Sequence, residues 1–260
     1  MLQKRILTAV VGIPIVGVCL YLGGFALQAL IFAAVVVGLV EFARLIGPQV
    51  KRDYLFAAGL SFILLSYGKL STSNLMIWLF VQMLYFLIRT TFSSKKPFAA
   101  AESILGVFYV AVPFSFMWLL RNEYGFGWIV YGILVTWVTD TAAYFGGRKY
   151  GRRKLAPAIS PNKSVEGAIW GGAAGMVLGG IYALWLGQPL WAALLMSLVL
   201  SAAGQIGDLC ESALKREKSV KDTGSILPGH GGILDRVDSL AFVLPLLYIF
   251  LTVMNAPSGL

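Results

Sequence analysis

Long apolar runs follow one another along this chain, most of them close to the thickness of a bilayer's hydrocarbon core. A helix needs about 20 mostly apolar residues to cross that core. Nine runs meet or approach that measure, at 6–24, 26–46, 54–68, 74–92, 98–120, 127–147, 165–186, 189–209 and 233–254, the third being short. Backbone polar groups in lipid must find partners within their own segment, so such runs become helices. The chain therefore reads as an all-α, polytopic integral membrane protein with about nine transmembrane helices. Its composition agrees. Of 260 residues, 58% are hydrophobic and only 13% charged, against roughly 25% charged in soluble domains. The apolar run after Met1-Leu2-Gln3-Lys4-Arg5 has no convincing small-residue cleavage site before the next run, and is read as a retained first span.

The placement of basic residues orients these spans. Lys4 and Arg5 precede the first. Arg44, Lys51 and Arg52 follow the second, and Arg89, Lys95 and Lys96 follow the fourth. Arg148, Lys149, Arg152, Arg153, Lys154 and Lys163 lie between the sixth and seventh. Lys215, Arg216, Lys218, Lys221 and Arg236 lie between or beside the last two. With nine spans, 19 of the 21 Lys and Arg fall on one face, leaving Lys69 and Arg121 on the other. The positive-inside rule puts that face, and the N-terminus, in the cytoplasm and the C-terminus outside. The same asymmetry accounts for most of the +9 net charge without a nucleic-acid partner. Cys19 and Cys210 each lie in or beside an apolar run and read as small buried hydrophobes, not as a disulfide or zinc site.

Polar chemistry is sparse in the first five spans. Glu41 and Arg44 share helical spacing and read as an interfacial ion pair. Glu102 suits a helix N-terminus. In the sixth span Asp140 is an acid inside an apolar helix, about 10 Å below the surface if the helix ends at Gly147. Thr136, Asp140 and Tyr144 share one face. An ionisable group at such depth is a functional candidate. The polar, basic link that follows reads as a turn-rich loop. It ends in Ser160-Pro-Asn-Lys163-Ser164-Val-Glu166-Gly167 at the mouth of the seventh span, where Lys163 and the helix N-terminus can face a phosphate. Gly167, Gly171, Gly175 and Gly179 make a small-residue stripe that allows close helix packing, within the bundle or at a dimer seam.

Charge is densest from Asp208 to Asp238, which holds six of the twelve acids, five bases and the only histidine. Gln205, Asp208, Ser212 and Lys215, with Glu211 alongside, form a polar stripe leaving the eighth span. Asp235 and Asp238 are one turn apart at the start of the ninth. Mg²⁺ binds through one or two carboxylates plus substrate phosphates, a role that Asp208 and Asp235 fit. Lys163, Lys215, Arg216 and Lys221 can hold phosphate oxygens. His230 lies within Pro-Gly-His-Gly-Gly, where glycines allow close backbone approach to a ligand. A metal, cations and a glycine-rich loop suit phosphoryl transfer. No GxxxxGK[ST], GxGxxG or nucleophile elbow is present.

Ser212, Leu214, Lys215, Arg216, Lys221, Asp222, Gly224, Pro228, His230, Gly231, Gly232, Asp235, Arg236 and Asp238 together resemble the signature of the bacterial CDP-diacylglycerol synthases, or phosphatidate cytidylyltransferases. The Gln205–Ser212 stretch, Asp140-Thr-Ala-Ala-Tyr-Phe and the segment from Ser160 to Gly167 are similar to that family too, which commonly has Thr and Trp where this chain has Ser164 and Val165. The resemblance implies that CTP and phosphatidic acid give CDP-diacylglycerol and pyrophosphate, with Mg²⁺ (and room for a second cation), at the cytoplasmic face of the inner membrane. It also implies an all-helical homodimer. Asp208 and Asp235 match the family's metal-binding acids. Lys215, Asp140 and Asp238 are expected to join them in catalysis. Ser160, Lys163, Glu166, Ser212, Arg216, Lys221, Asp222, His230 and Arg236 are expected to bind substrate. Residues 1–97 would then be a scaffold with dimer contacts, and 98–260 a catalytic unit with cytoplasmic loops at 148–164 and 210–232. A CTP-dependent polyprenol or phytol kinase and a secondary transporter are the alternatives.

Overall fold

The computed structural model describes residues 2–46, 59–63, 67, 76–78, 80–82, 84, 88, 105–220, 222–224, 226 and 231–254. The third and fourth expected spans, the start of the fifth, Glu102, and the site candidates Lys221 and His230 fall wholly or partly outside these residues. The described chain is mostly helical, with one short hairpin and irregular stretches that include 218–220, 222–224 and 231–233. It divides into two compact units, residues 1–119 with 220–236, and residues 120–219 with 237–260.

The first unit begins with α1 (Leu2–Leu22) and α2 (Gly24–Ile46). Gly23 and Gly24 have φ of 66° and 48°, left-handed values that let the chain turn between two helices without strain. Leu27, Ile31, Val35, Leu39 and Phe42 recur every three or four residues and are fully buried. They form the packed face of α2. Val10, Ile13 and Val18 of α1 are exposed, which suits a lipid-facing surface. Gly38 lets α2 approach Val110 and Leu234 closely, since a Cβ there would stand 2.8 and 3.3 Å from their side chains. Val110 lies in a π-helical turn, Val107–Ala111, that leads into α3 (Val112–Glu123).

The second unit is built on α4 (Phe126–Tyr150), α5 (Val165–Trp185), α6 (Leu190–Glu217) and α8 (Leu240–Met254). Helices α4, α5 and α6 pack in succession, and α8 lies against α6 and α4. The glycine stripe of α5 is buried inside this bundle. A Cβ on Gly171 would stand 2.8 Å from the Thr139 carbonyl, and one on Gly175 2.5 Å from the Thr139 hydroxyl. The stripe therefore serves packing within the unit. Hydroxyl pairs join α4 to α6 beside the stripe: Tyr131 with Ser197 and Thr139 with Ser201, both at 2.7 Å. Such bonds satisfy polar groups that lipid cannot. Gly187, at φ 89°, and Pro189, the N-cap of α6, make a tight link between α5 and α6.

Four helices among the described residues, α2, α4, α5 and α6, are long and apolar enough to cross a membrane, and the apolar parts of α1 and α8 are shorter. The all-α membrane architecture read from the sequence is present. Two local expectations are corrected. The basic link before α5 contains an antiparallel hairpin, β1 (Lys154–Ala156) and β2 (Ser160–Ser164), rather than a loop alone. The last span is not one continuous helix from residue 233. A single turn, α7 (Leu234–Val237), ends before α8 begins at Leu240. The Asp238 carboxylate accepts from Ser239 N at 2.7 Å in the break between them, a local side-chain bond that competes with helix continuation.

Candidate active site

In the second unit, Asp208 is the centre of a group of charges at the polar end of α6. At 28 residues α6 is about 42 Å long, more than the hydrocarbon core requires. Its last turns can therefore stand in water. Lys163 Nζ on β2 reaches Asp208 Oδ2 at 2.5 Å. Ser212 Oγ, one turn further along α6, donates to Asp208 Oδ1 at 3.4 Å. The hairpin sets Lys163 in place. Ser164 is the N-cap of α5 and accepts from Gly167 N at 3.1 Å. Glu166 accepts from Arg152 N at 2.9 Å, from Arg153 N at 3.1 Å and from Arg153 Nε at 3.1 Å. Arg216 Nε donates to the Ile159 carbonyl at 3.3 Å, tying the hairpin to the end of α6. Ser160 lies at the start of β2, paired with Ala156.

Two further acids act on Asp208. Asp140 lies ten residues before the end of α4, about 15 Å along its axis, because the helix runs on to Tyr150. It is exposed on the helix surface, as is Tyr144. Asp238, outside the spanning helices, is held against α6 by Gly207, where a Cβ would stand 2.6 Å from the Asp238 carbonyl. Burial, then the negative charge of Asp208, raises the Asp238 carboxyl from its ordinary value to about 6; Asp140 adds to this and Lys215 opposes it. Three carboxylates thus crowd one region. Lys163 pairs with one of them, while Lys215 pairs with the buried Glu211 one turn away on α6. Such crowding favours binding of another cation. The donors are all oxygen, as Mg²⁺ prefers, yet among the described residues no group of three or more His, Cys, Asp or Glu side chains is placed to hold a metal ion. An open oxygen site completed by water and phosphate is the kind Mg²⁺ uses.

The first unit holds the glycine-rich stretch. Asp235, in α7, is buried, and its Oδ2 accepts from Thr223 N (2.9 Å), Thr223 Oγ1 (2.9 Å) and Gly232 N (2.8 Å). Gly231 has φ 82°, a value few other residues adopt. Asp222 and Arg236 are exposed.

Glu41 differs most from expectation. It is fully buried and forms no ion pair with Arg44, which is exposed. Its carboxylate binds main chain at Ile233 and Leu234. The expected interfacial pair is corrected because these backbone donors satisfy the acid better than a solvated guanidinium would. Thr223 is the polar residue of these clusters that the sequence did not single out, while Glu41 and Glu211 stood out by position but not by role. An acid five residues inside an apolar run was the available signal for Glu41.

A bundle of spanning helices with an acidic, lysine-bearing rim defines an integral membrane protein fitted to phosphate-bearing substrates. The model of the cytidylyltransferase family matches residues 3–254, and the chain belongs to that family. It is 37% identical over 262 residues to the phosphatidate cytidylyltransferase of Staphylococcus haemolyticus, covering 97% of this chain and 100% of that one. To the phosphatidate cytidylyltransferase of Bacillus subtilis it is 39% identical over 272 residues, covering 98% and 99%. The enzyme of that name from Staphylococcus aureus strain COL is 45% identical over 176 residues, covering 66% and 67%.

Proposed function

We propose that this protein is a phosphatidate cytidylyltransferase: it makes CDP-diacylglycerol and pyrophosphate from CTP and phosphatidic acid. The observation that carries this reading is end-to-end similarity to enzymes of that name in a chain with phosphate-suited charge at the rim of its spanning helices.

The chemistry asks little of a general base. A phosphate oxygen of phosphatidic acid, already anionic at neutral pH, attacks the α-phosphorus of CTP. The new P–O bond forms as the bond from that phosphorus to the α–β bridging oxygen breaks, and pyrophosphate leaves with the electron pair. The obstacle is repulsion between two polyanions. Lys163 and Lys215 supply cationic charge, and Lys163 is free to exchange Asp208 for a phosphate oxygen. Arg216, Arg236, Lys221, His230, Ser160, Ser212, Asp222 and Glu166 complete the substrate-binding set in this reading. Mg²⁺, when bound, supplies further charge neutralisation at the phosphates. Asp208 and Asp235 are its proposed ligands, on the strength of the family resemblance, with Asp140 and Asp238 adding negative charge around Asp208.

The distribution of Lys and Arg supports a cytoplasmic N-terminus and a site on the cytoplasmic face, and residence in the cell's inner membrane as a multi-pass protein rests on the resemblance. A homodimer rests on the resemblance, and the mass of the protein in detergent tests it. The reaction is tested with CTP labelled in its cytosine ring. Passage of label into the lipid phase, dependent on phosphatidic acid, supports the reading. Cytidine remaining in water while a lipid alcohol gains phosphate would indicate a lipid kinase.

A further inference from the structure

Glu41 is fully buried near the end of an apolar helix, five residues before Ile46. A carboxylate in such a place is costly unless its oxygens meet donors. Here the donors come from far along the chain. Ile233 N donates to Oε1 at 3.0 Å, and Leu234 N donates to Oε2 at 3.0 Å. The Thr223 hydroxyl lies between two acids, 3.4 Å from Glu41 Oε2 and 2.9 Å from Asp235 Oδ2. Two glycines make room. A Cβ on Gly224 would stand 2.5 Å from Glu41 Oε1, and one on Gly232 would be closer still to Oε2. In the sequence Gly232, within Pro-Gly-His-Gly-Gly, reads as allowing approach to a ligand. In the fold both glycines allow approach to an internal carboxylate.

We infer that Glu41 is a positioning residue for the cytidylyl transfer. It fixes the main chain at Ile233 and Leu234, and so sets the direction in which α7 presents Asp235 and Arg236. The inference rests on the proposed function in that these two residues belong to the machinery; Glu41 itself touches no substrate. Packing alone does not call for an acid here. Gly38 already brings α2 onto Leu234 and Val110, and an apolar side chain usually serves stability as well as a buried charge does. What a carboxylate adds is direction, because each oxygen binds a particular N–H.

The test uses the full-length protein in lipid–detergent micelles. Glu41→Gln and Glu41→Asp are compared with Leu27→Ala, a substitution on the same buried face of α2 away from the loop. For each, the thermal midpoint, kcat/KM per folded molecule and amide hydrogen exchange across 231–236 are measured. Glu41→Gln is expected to lower kcat/KM about 10- to 100-fold, the usual effect of a small misplacement. It should also speed exchange at Ile233 and Leu234 roughly tenfold or more. Glu41→Asp, which keeps the charge, should recover part of both. Leu27→Ala should lower the midpoint and leave kcat/KM unchanged. If Glu41→Gln does not accumulate as folded protein, Glu41→Asp is judged by the same criteria against wild type. Wild-type kcat/KM in the folded Glu41 variant, or an equal loss in Leu27→Ala, overturns the inference. Inactivity of the wild type would refute the functional reading instead, leaving exchange to report on the loop alone.

Discussion

Lys163 Nζ and Asp208 Oδ2 are 2.5 Å apart, joining the strand that enters α5 to the polar end of α6. Both side chains keep a little over a quarter of their surface exposed. Water therefore screens the pair, and pairs of this kind are worth about 0–1 kcal/mol to stability. The pair therefore has a small structural use, and the proposed function gives Lys163 a second one, at a substrate phosphate.

Replacing that lysine separates the two uses. Lys163→Ala should lower the unfolding free energy by no more than about 1 kcal/mol. It should lower kcat/KM by roughly tenfold or more, through loss of a charged phosphate contact. Parallel thermal melts and initial rates check this. A large loss of stability with unchanged kinetics would make the pair structural.

The raised carboxyl of Asp238 makes a pH prediction. The folded protein holds this proton up to about pH 6, whereas the unfolded chain loses it near 3.8. Between those values the folded state binds more protons, so stability falls as pH rises through the window. Asp238→Asn removes that dependence. In chelator, the variant should gain on wild type from pH 4 to pH 7, by at most about 3 kcal/mol. Thermal midpoints across that range are the measurement. An excess of Mg²⁺ should shrink the difference, since a cation compensates the charge in wild type alone.

The stripe glycines of α5 (Gly167, Gly171, Gly175 and Gly179) are predicted to be intolerant. A methyl at Gly167 would stand 2.7 Å from the Ala143 carbonyl, which is backbone and cannot rotate away. Gly167→Ala should cost about 1–3 kcal/mol. At Gly172 the nearest atom to such a methyl is the end of Leu198, at 3.9 Å. Gly172→Ala should therefore be neutral or slightly stabilising. Equal midpoints for the two variants would contradict the packing described for α4 and α5.

Glu166 closes the hairpin through Arg152 and Arg153. Glu166→Ala leaves those two amides without their acceptor. Trypsin should then cut after Arg152 and Arg153 faster, by about tenfold, as local opening becomes easier. Activity should fall with it, because β2 carries Lys163. Unchanged cleavage would show that the strand pairing holds without the glutamate.

What was legible in the sequence follows from the range of each interaction. Apolar runs disclosed α2, α4, α5 and α6, because burial in lipid is decided residue by residue over a window. Asp140 and Asp208 stood out because acids are rare in such runs. The hairpin was harder to see. Pro157, Pro161 and the run of bases suggest turns, and its pairing depends on Glu166 and Arg216 from outside the strands. The break before α8 depends on a side-chain bond at Asp238, which helical spacing does not register. Glu41 was legible as an unusual acid but not in its role, since its partners lie 192 and 193 residues away.

The most direct test of the account is cytidylyl transfer by purified Asp208→Asn beside wild type, with ring-labelled CTP, phosphatidic acid and Mg²⁺. The account predicts that label enters the lipid phase with wild type and falls at least about 100-fold in the variant, at a thermal midpoint that is not lowered. Transfer by the variant at the wild-type rate, or label that never leaves the aqueous phase with either protein, would contradict it.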